Sequence, residues 1–269
     1  MTWPGRPEPL DDDEALPADA PGTDWEPAGD EEESEFLTGP RSRLKELLRV
    51  TRIAAEFVKG FRALHFVGPC VTVFGSARFR ETHPYYQLAR TMGQRMAGLG
   101  LTVMTGGGPG IMEAANRGAK EAGGHSIGCN IELPAEQHEN RYLDRFVTFR
   151  YFFVRKVMLV KYSVAFVVLP GGFGTLDELF EALTLVQTKK IEMFPVVLMG
   201  VGYWSRLLDF MRSTLVRNRT IDLQDANLLT VTDSPEVAVS AIQEGVKRYG
   251  ILWPTPPKRR KLLKEKALP

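Results

Sequence analysis

Three short stretches combine residue types that cradle anions and handle protons. The richest is Pro170-Gly171-Gly172-Phe173-Gly174-Thr175-Leu176-Asp177-Glu178. Its three glycines free the backbone to wrap an oxyanion, and Thr175 adds a hydroxyl where a helix is expected to begin. Glu178 falls about one helical turn later. A phosphate ester held by the loop would therefore bring its sugar close to a carboxylate. Thr175 and Glu178 also have the spacing of a capping box, which accounts for those two residues but not for the glycines and proline before them. The second stretch is Thr105-Gly106-Gly107-Gly108-Pro109-Gly110-Ile111-Met112-Glu113. Glycines ahead of a helix expose backbone N–H groups at the positive end of its dipole. The pattern is neither the usual dinucleotide fingerprint nor a P-loop, because no Gly-Lys-Ser/Thr ending occurs. The third stretch is Phe74-Gly75-Ser76-Ala77-Arg78. Gly75 permits close approach of a ligand and the Ser76 hydroxyl can donate or accept, although a plain structural turn fits these residues equally.

Each stretch follows an apolar run and leads toward a helix-forming pattern. Strands are expected at Val71–Phe74, Leu101–Thr105, Ser126–Asn130, Arg145–Phe149, Val164–Leu169, Pro195–Met199 and Leu228–Thr232. Helices are expected at Pro84–Leu99, Ile111–Ala122, Tyr151–Tyr162, Thr175–Thr188, Tyr203–Val216 and Pro235–Tyr249. Short β-branched strands alternating with helices predict an α/β fold, a Rossmann-like doubly wound parallel sheet in a single domain. Ligands of such sheets bind outside the carboxyl ends of the strands, where all three stretches fall. Ahead of the first strand, Leu44, Leu47, Leu48, Ile53, Phe57, Phe61 and Leu64 recur at helical spacing and predict an amphipathic helix from Arg41 to about Phe66.

The stretch from Pro170 to Glu178 resembles the PGGxGTxxE signature of the Lonely Guy family, cytokinin-activating phosphoribohydrolases long mislabelled lysine decarboxylases. The glycines at 106–110 fit the family, as does Arg155-Lys156, which is similar to its Arg-Lys pair. Arg155 precedes Glu178 by 23 residues, which also fits. The resemblance runs from about Val71 to Leu198, and more loosely to Tyr249. It implies a 5′-phosphate site at Gly171, Gly172, Gly174 and Thr175, with Glu178 and Arg155 as the catalytic pair. Ser76, Gly108, Glu113 and Lys156 would line the nucleotide site, with Gly75 and Gly107 beside them. The implied reaction is hydrolysis of the N-glycosidic bond of a purine riboside 5′-monophosphate, AMP or a cytokinin nucleotide, with no metal or organic cofactor. At least a homodimer is implied, or a larger homo-oligomer. The chain departs from plant-like members in Glu113, in Thr105 before the glycines, and in its longer N-terminal part, and resembles bacterial members there.

Two other readings stay open to comparison. A non-catalytic carrier of a nucleotide or of molybdenum cofactor shares this fold, but would not need Glu178 with Arg155. A lysine decarboxylase would need pyridoxal phosphate on a Schiff-base lysine, and no lysine here has a convincing pocket for it.

Composition bounds the rest. Residues 1–40 carry thirteen acidic residues and one basic, a stretch expected to be disordered because it lacks apolar surface to bury. Residues 254–269 form an expected basic tail, with Lys258-Arg259-Arg260-Lys261 following three prolines. The folded part is expected to span 41–253 and to be mildly basic, which suits an anionic ligand. Cys70 and Cys129 read as buried free thiols, and with the absence of a signal-like start they predict a cytoplasmic protein with no membrane contact. No helix-turn-helix or zinc spacing appears, so no specific nucleic-acid partner is expected.

Overall fold

The computed structural model describes residues 36–37, 39–40, 42–132, 139–191, 195–249 and 268. Most of the acidic and basic tails therefore lies outside the described residues. Of the tail residues that are described, the Phe36 ring lies against Tyr151 and Phe153, and Leu268 is partly buried against the hydrophobic core.

From Arg43 the described residues run as helix α1 (Arg43–Leu64), then alternate β1 (Cys70–Phe74), α2 (Pro84–Gly98), β2 (Thr102–Thr105), α3 (Ile111–Glu121), β3 (Ser126–Ile131), β4 (Arg145–Phe149), α4 (Phe152–Lys161), β5 (Ser163–Val168), α5 (Phe173–Gln187), β6 (Val196–Leu198) and α6 (Val201–Phe210). A π-helical turn, Met211–Val216, continues α6 to the end expected from the sequence. A short α7 (Leu223–Ala226), β7 (Leu229–Val231) and α8 (Pro235–Tyr249) complete the order. Among the described residues seven strands, all parallel, form one sheet in the order β4-β3-β2-β1-β5-β6-β7. The fold is thus the expected Rossmann-like α/β sheet with helices on both faces.

Alternation along the strands builds two cores. Cys70, Phe74, Phe166, Val168 and Leu198 face one side, under α1, α4, α5 and α6. Val71, Val73, Ala165, Val167 and Val197 face the other, under α2, α3 and α8. On the second side α2 and α3 meet backbone to backbone. A Cβ on Gly93 would lie 2.1 Å from the Ala115 carbonyl oxygen, and one on Gly118 would lie 1.9 Å from that of Arg90. Both cysteines are buried and free.

Strand order fixes where chemistry can occur. From β1 the chain runs one way to β4, then returns to lay β5 against the other edge of β1. The connections leaving β1 and β5 diverge to opposite sides of the sheet and open a crevice at their carboxyl ends. Gly75-Ser76 leaves β1 there, and Pro170-Gly171 leaves β5.

Candidate active site

The two loops are joined by backbone bonds that prolong the sheet. The Leu169 N–H donates to the Phe74 carbonyl at 2.9 Å, and the Ser76 N–H to the Pro170 carbonyl at 2.9 Å. Gly171 is needed for this contact, because a Cβ there would meet Thr175 Oγ1 at 2.1 Å and the Ser76 nitrogen at 2.9 Å. By contrast, a Cβ on Gly172 or Gly174 would meet no described atom within 4 Å. Internal packing therefore does not require glycine at these two positions.

Helix α5 begins at Phe173, two residues before the expected start, with Gly172 as its N-cap. Thr175 is consequently inside the first turn, buried, and not a capping residue. The capping box between Thr175 and Glu178 does not form, since no side-chain hydrogen bond caps this helix. The glycines let the helix nucleate earlier than a Thr cap would, and its first N–H groups face the crevice end of β5.

The second glycine stretch is pinned by a buried polar network. Thr105 Oγ1 donates to Asn116 Oδ1 at 2.6 Å and accepts from the Gly107 N–H at 2.8 Å. Asn116 Nδ2 donates to Ser126 Oγ at 2.7 Å. Asn140 closes the set, with its Nδ2 donating to Asn116 Oδ1 at 3.0 Å and to the Gly108 carbonyl at 3.2 Å, and its backbone N–H donating to the Gly107 carbonyl. Gly110, at φ 68°, packs so closely that a Cβ would lie 2.5 Å from the Ser76 carbonyl oxygen. The Ser76 oxygen also accepts from the Ile111 N–H at 3.0 Å, so the first and second stretches share one surface. Ser76 Oγ accepts from the Arg78 N–H at 3.1 Å. Glu113 accepts from the Tyr86 hydroxyl at 3.1 Å, on the α2 side of this surface.

Glu178 and Arg155 meet across α5 and α4. Arg155 Nη2 lies 3.3 Å from Glu178 Oε1, and the Glu178 side chain is only 4% exposed. Burial raises the Glu178 carboxyl above the ordinary carboxylate range, against the opposing pull of Arg155 and Lys156. The Arg155 guanidinium lies over the Phe152 ring, and its buried Nε has no hydrogen-bond partner among the described residues. Such a donor is costly to leave unmade and suits a polar ligand. Lys156 is held by Asp177 Oδ1 and Glu181 Oε2, each at 3.0 Å. Burial lowers its pKa, but the two carboxylates outweigh that and leave it raised. A Schiff-base lysine needs the opposite shift, so Lys156 does not fit pyridoxal chemistry.

Tyr203 is a site neighbour that the sequence reading missed. Its hydroxyl donates to the Gly171 carbonyl at 2.8 Å and steadies the loop from α6. The Gly202-Tyr203-Trp204 run just past β6 sits at a strand end, which was the available signal. No group of three His, Cys, Asp or Glu is placed to hold a metal among the described residues, and no helix among them is long and apolar enough to cross a membrane.

The raised carboxyl has a consequence for stability. A group whose folded pKa is raised contributes stability that is fully present below its unfolded pKa and lost as pH rises through the folded value. Wild type should therefore lose stability relative to Glu178→Gln as pH rises through the mildly acidic range, and the difference should level off above the Glu178 pKa. Urea unfolding of both proteins across that range checks this; parallel stability curves would refute it.

Fold and crevice together define a Rossmann-like α/β protein with a glycine-rich loop and a buried Glu paired with a half-buried Arg at its topological switch point. Residues 112–242 match the family model described as "Possible lysine decarboxylase". A probable cytokinin riboside 5′-monophosphate phosphoribohydrolase of rice (Oryza sativa subsp. japonica) is 37% identical over 144 residues, 52% of this chain and 58% of the relative. A cytokinin riboside 5′-monophosphate phosphoribohydrolase of Mycobacterium tuberculosis is 37% identical over 100 residues, 36% of this chain and 54% of the relative. The chain thus spans somewhat more than half the length of these curated relatives. Among solved structures, the Moco carrier protein from Chlamydomonas reinhardtii superposes with a TM-score of 0.51 at 26% identity, covering 67% of this chain and 99% of that one. Over this part of its length the chain is similar to the Lonely Guy family, the resemblance that the Pro170–Glu178 signature carries.

Proposed function

We infer that this protein hydrolyses the N-glycosidic bond of a purine riboside 5′-monophosphate, AMP or a cytokinin nucleotide, to free base and ribose 5-phosphate. The observation that carries the reading is the buried Glu178, one turn along the helix that the Gly171–Gly174 loop opens, paired with the half-buried Arg155. The 5′-phosphate sits at the Gly171–Thr175 loop, on the N–H groups of Gly172 and Gly174 at the positive end of α5, with the Thr175 hydroxyl beside them; the Thr175 N–H itself is given to the Gly172 carbonyl at 3.0 Å. Gly75, Ser76, Gly107, Gly108 and Glu113 line the nucleotide along the shared surface of the first two loops. Lys156 adds positive potential beside Glu178 from its place between Asp177 and Glu181.

As the C1′–N bond breaks, its electron pair leaves with the base, which takes a proton, and positive charge spreads over C1′ and the ring oxygen. A carboxylate beside the ribose stabilises that charge and orients or deprotonates the water whose oxygen bonds to C1′. Arg155 favours the ionised form of Glu178 in a site whose burial disfavours it. The relatives named for this reaction on cytokinin nucleotides support the assignment.

The likeness to the Chlamydomonas carrier favours a second reading, a binding protein without turnover. The two are separated by incubating purified protein with AMP, with isopentenyladenosine monophosphate and with adenosine, and following free base by chromatography. Release from either nucleotide, lost in Glu178→Ala and absent with adenosine, is the expected result. No release from either nucleotide, with a ligand that co-purifies, would replace the enzyme by the carrier.

A further inference from the structure

Helix α1 precedes the stretch matched by the family model, yet it grips the corner from which Arg155 projects. Glu56, on the inner face of α1, accepts from the Arg150 N–H at 3.0 and 3.2 Å through its two carboxylate oxygens, and from the Tyr151 N–H at 3.4 Å. Tyr151 is the N-cap of α4, and its own side chain makes no capping hydrogen bond. A carboxylate from a distant helix thus takes the N-cap residue's own N–H and the one before it, just ahead of the positive end of the α4 dipole. Three residues along α1, Lys59 Nζ donates to the Thr148 carbonyl at 2.6 Å. Arg145, at the start of β4, donates to the Ala63 carbonyl near the end of α1. Gly60 lets α1 lie directly on α4, since a Cβ there would meet Met158 Sδ at 2.8 Å and Phe149 at 3.0 Å.

Arg155 sits in the first turn of α4, with its N–H on the Tyr151 carbonyl at 3.2 Å. Its contact with Glu178, at 3.3 Å, is at the long limit of a hydrogen bond, so a small movement of that turn breaks it. We propose that Glu56 is a positioning residue, holding the first turn of α4 so that Arg155 reaches Glu178, and that α1 is in this way part of the active-site machinery. This rests on the reading of Arg155 and Glu178 given above. The charged groups around Glu178 are Arg155 and Lys156 on α4 and Asp177 and Glu181 on α5. Of these, Arg155 lies nearest the Glu56 grip and responds to it most directly. Losing its contact leaves the burial of Glu178 less opposed, so the Glu178 pKa rises.

The test uses the full chain with Glu56→Ala, Glu56→Gln and Glu56→Asp. Glu56→Gln keeps an acceptor on the backbone if the alanine variant fails to fold, and Glu56→Asp restores the charge. The first readout is the carbon-13 carboxyl titration of Glu178, which needs no turnover. It should move to higher pH in Glu56→Ala and Glu56→Gln and return part of the way in Glu56→Asp. The second is base release from AMP and isopentenyladenosine monophosphate, where kcat should fall roughly 10- to 100-fold with KM little changed, as expected for misplacement of about 1 Å. A titration unmoved in every variant that folds would overturn the proposal, even if thermal stability fell. A wild type that releases no base would sink the enzyme reading alone, because the titration still decides whether Glu56 positions Arg155.

Discussion

Replacing Glu178 by Gln should lower kcat for base release about 100- to 10,000-fold while leaving KM within a small factor of wild type. The substitution keeps the shape of a side chain that is 4% exposed and removes only its charge. An amide cannot deprotonate water, and it stabilises a sugar cation far less than a carboxylate does in a site from which water is excluded. Losses of this size are typical when one preorganised electrostatic group or one general base is removed. Binding is expected to survive because the proposed phosphate contacts come from the 171–175 loop, which the substitution does not touch. The wild-type rate should rise with pH through the Glu178 pKa, which burial has raised, and the acid limb should vanish in the variant. Steady-state kinetics across pH reads all three quantities. Equal losses in binding and rate, or an acid limb that persists in Glu178→Gln, would show that another group carries the chemistry.

Much of this site was legible before any coordinates. The apolar, β-branched runs ending at Phe74, Thr105 and Leu169 placed three glycine-rich stretches at strand ends, and the parallel sheet then required those ends to share one edge. Signature spacing singled out Glu178 and Arg155, and the structure brings them to 3.3 Å. Boundaries were less legible. Thr175 looked like a cap because Thr is a good one, but the glycines before it let α5 start at Phe173 and drew Thr175 into the first turn. Lys156 adjoins Arg155 in sequence, yet successive helical residues point about 100° apart, and Asp177 and Glu181 capture it. Asn116, Asn140 and Tyr203 gave little sequence signal of their own. Their roles arise from chain segments that meet only in the fold, and a pattern of local spacing does not report such meetings.

Gly93 and Gly118 belong to that illegible class, and their consequence is large. Glycine inside a helix costs roughly 0.5–1 kcal/mol relative to alanine, so Gly118→Ala considered as a helix substitution should stabilise the protein. The packing of α2 on α3 reverses the sign. The new methyl carbon would lie 1.9 Å from the Arg90 carbonyl oxygen and 2.8 Å from the carbonyl carbon. These are backbone atoms inside α2, so no side-chain rotation relieves the clash and the two helices must separate. Separation strains the core formed by Ala89, Met92, Ala115 and Ala119. Overpacking of this kind costs about 1–3 kcal/mol, occasionally more, and contact with a fixed backbone places this case at or above the upper end. Even after the helix-propensity gain, a net loss of about 2 kcal/mol is expected, or a Tm lower by roughly 4–8 °C for a domain of this size. Glu178 lies on the opposite face of the sheet, so surviving folded protein should keep its KM. The surface glycine Gly98, whose Cβ would meet nothing within 4 Å, is the matched control. Gly98→Ala should leave Tm unchanged or raise it slightly. Thermal unfolding of the two variants side by side decides the matter: if Gly118→Ala is as stable as Gly98→Ala, α2 and α3 do not meet through their glycines.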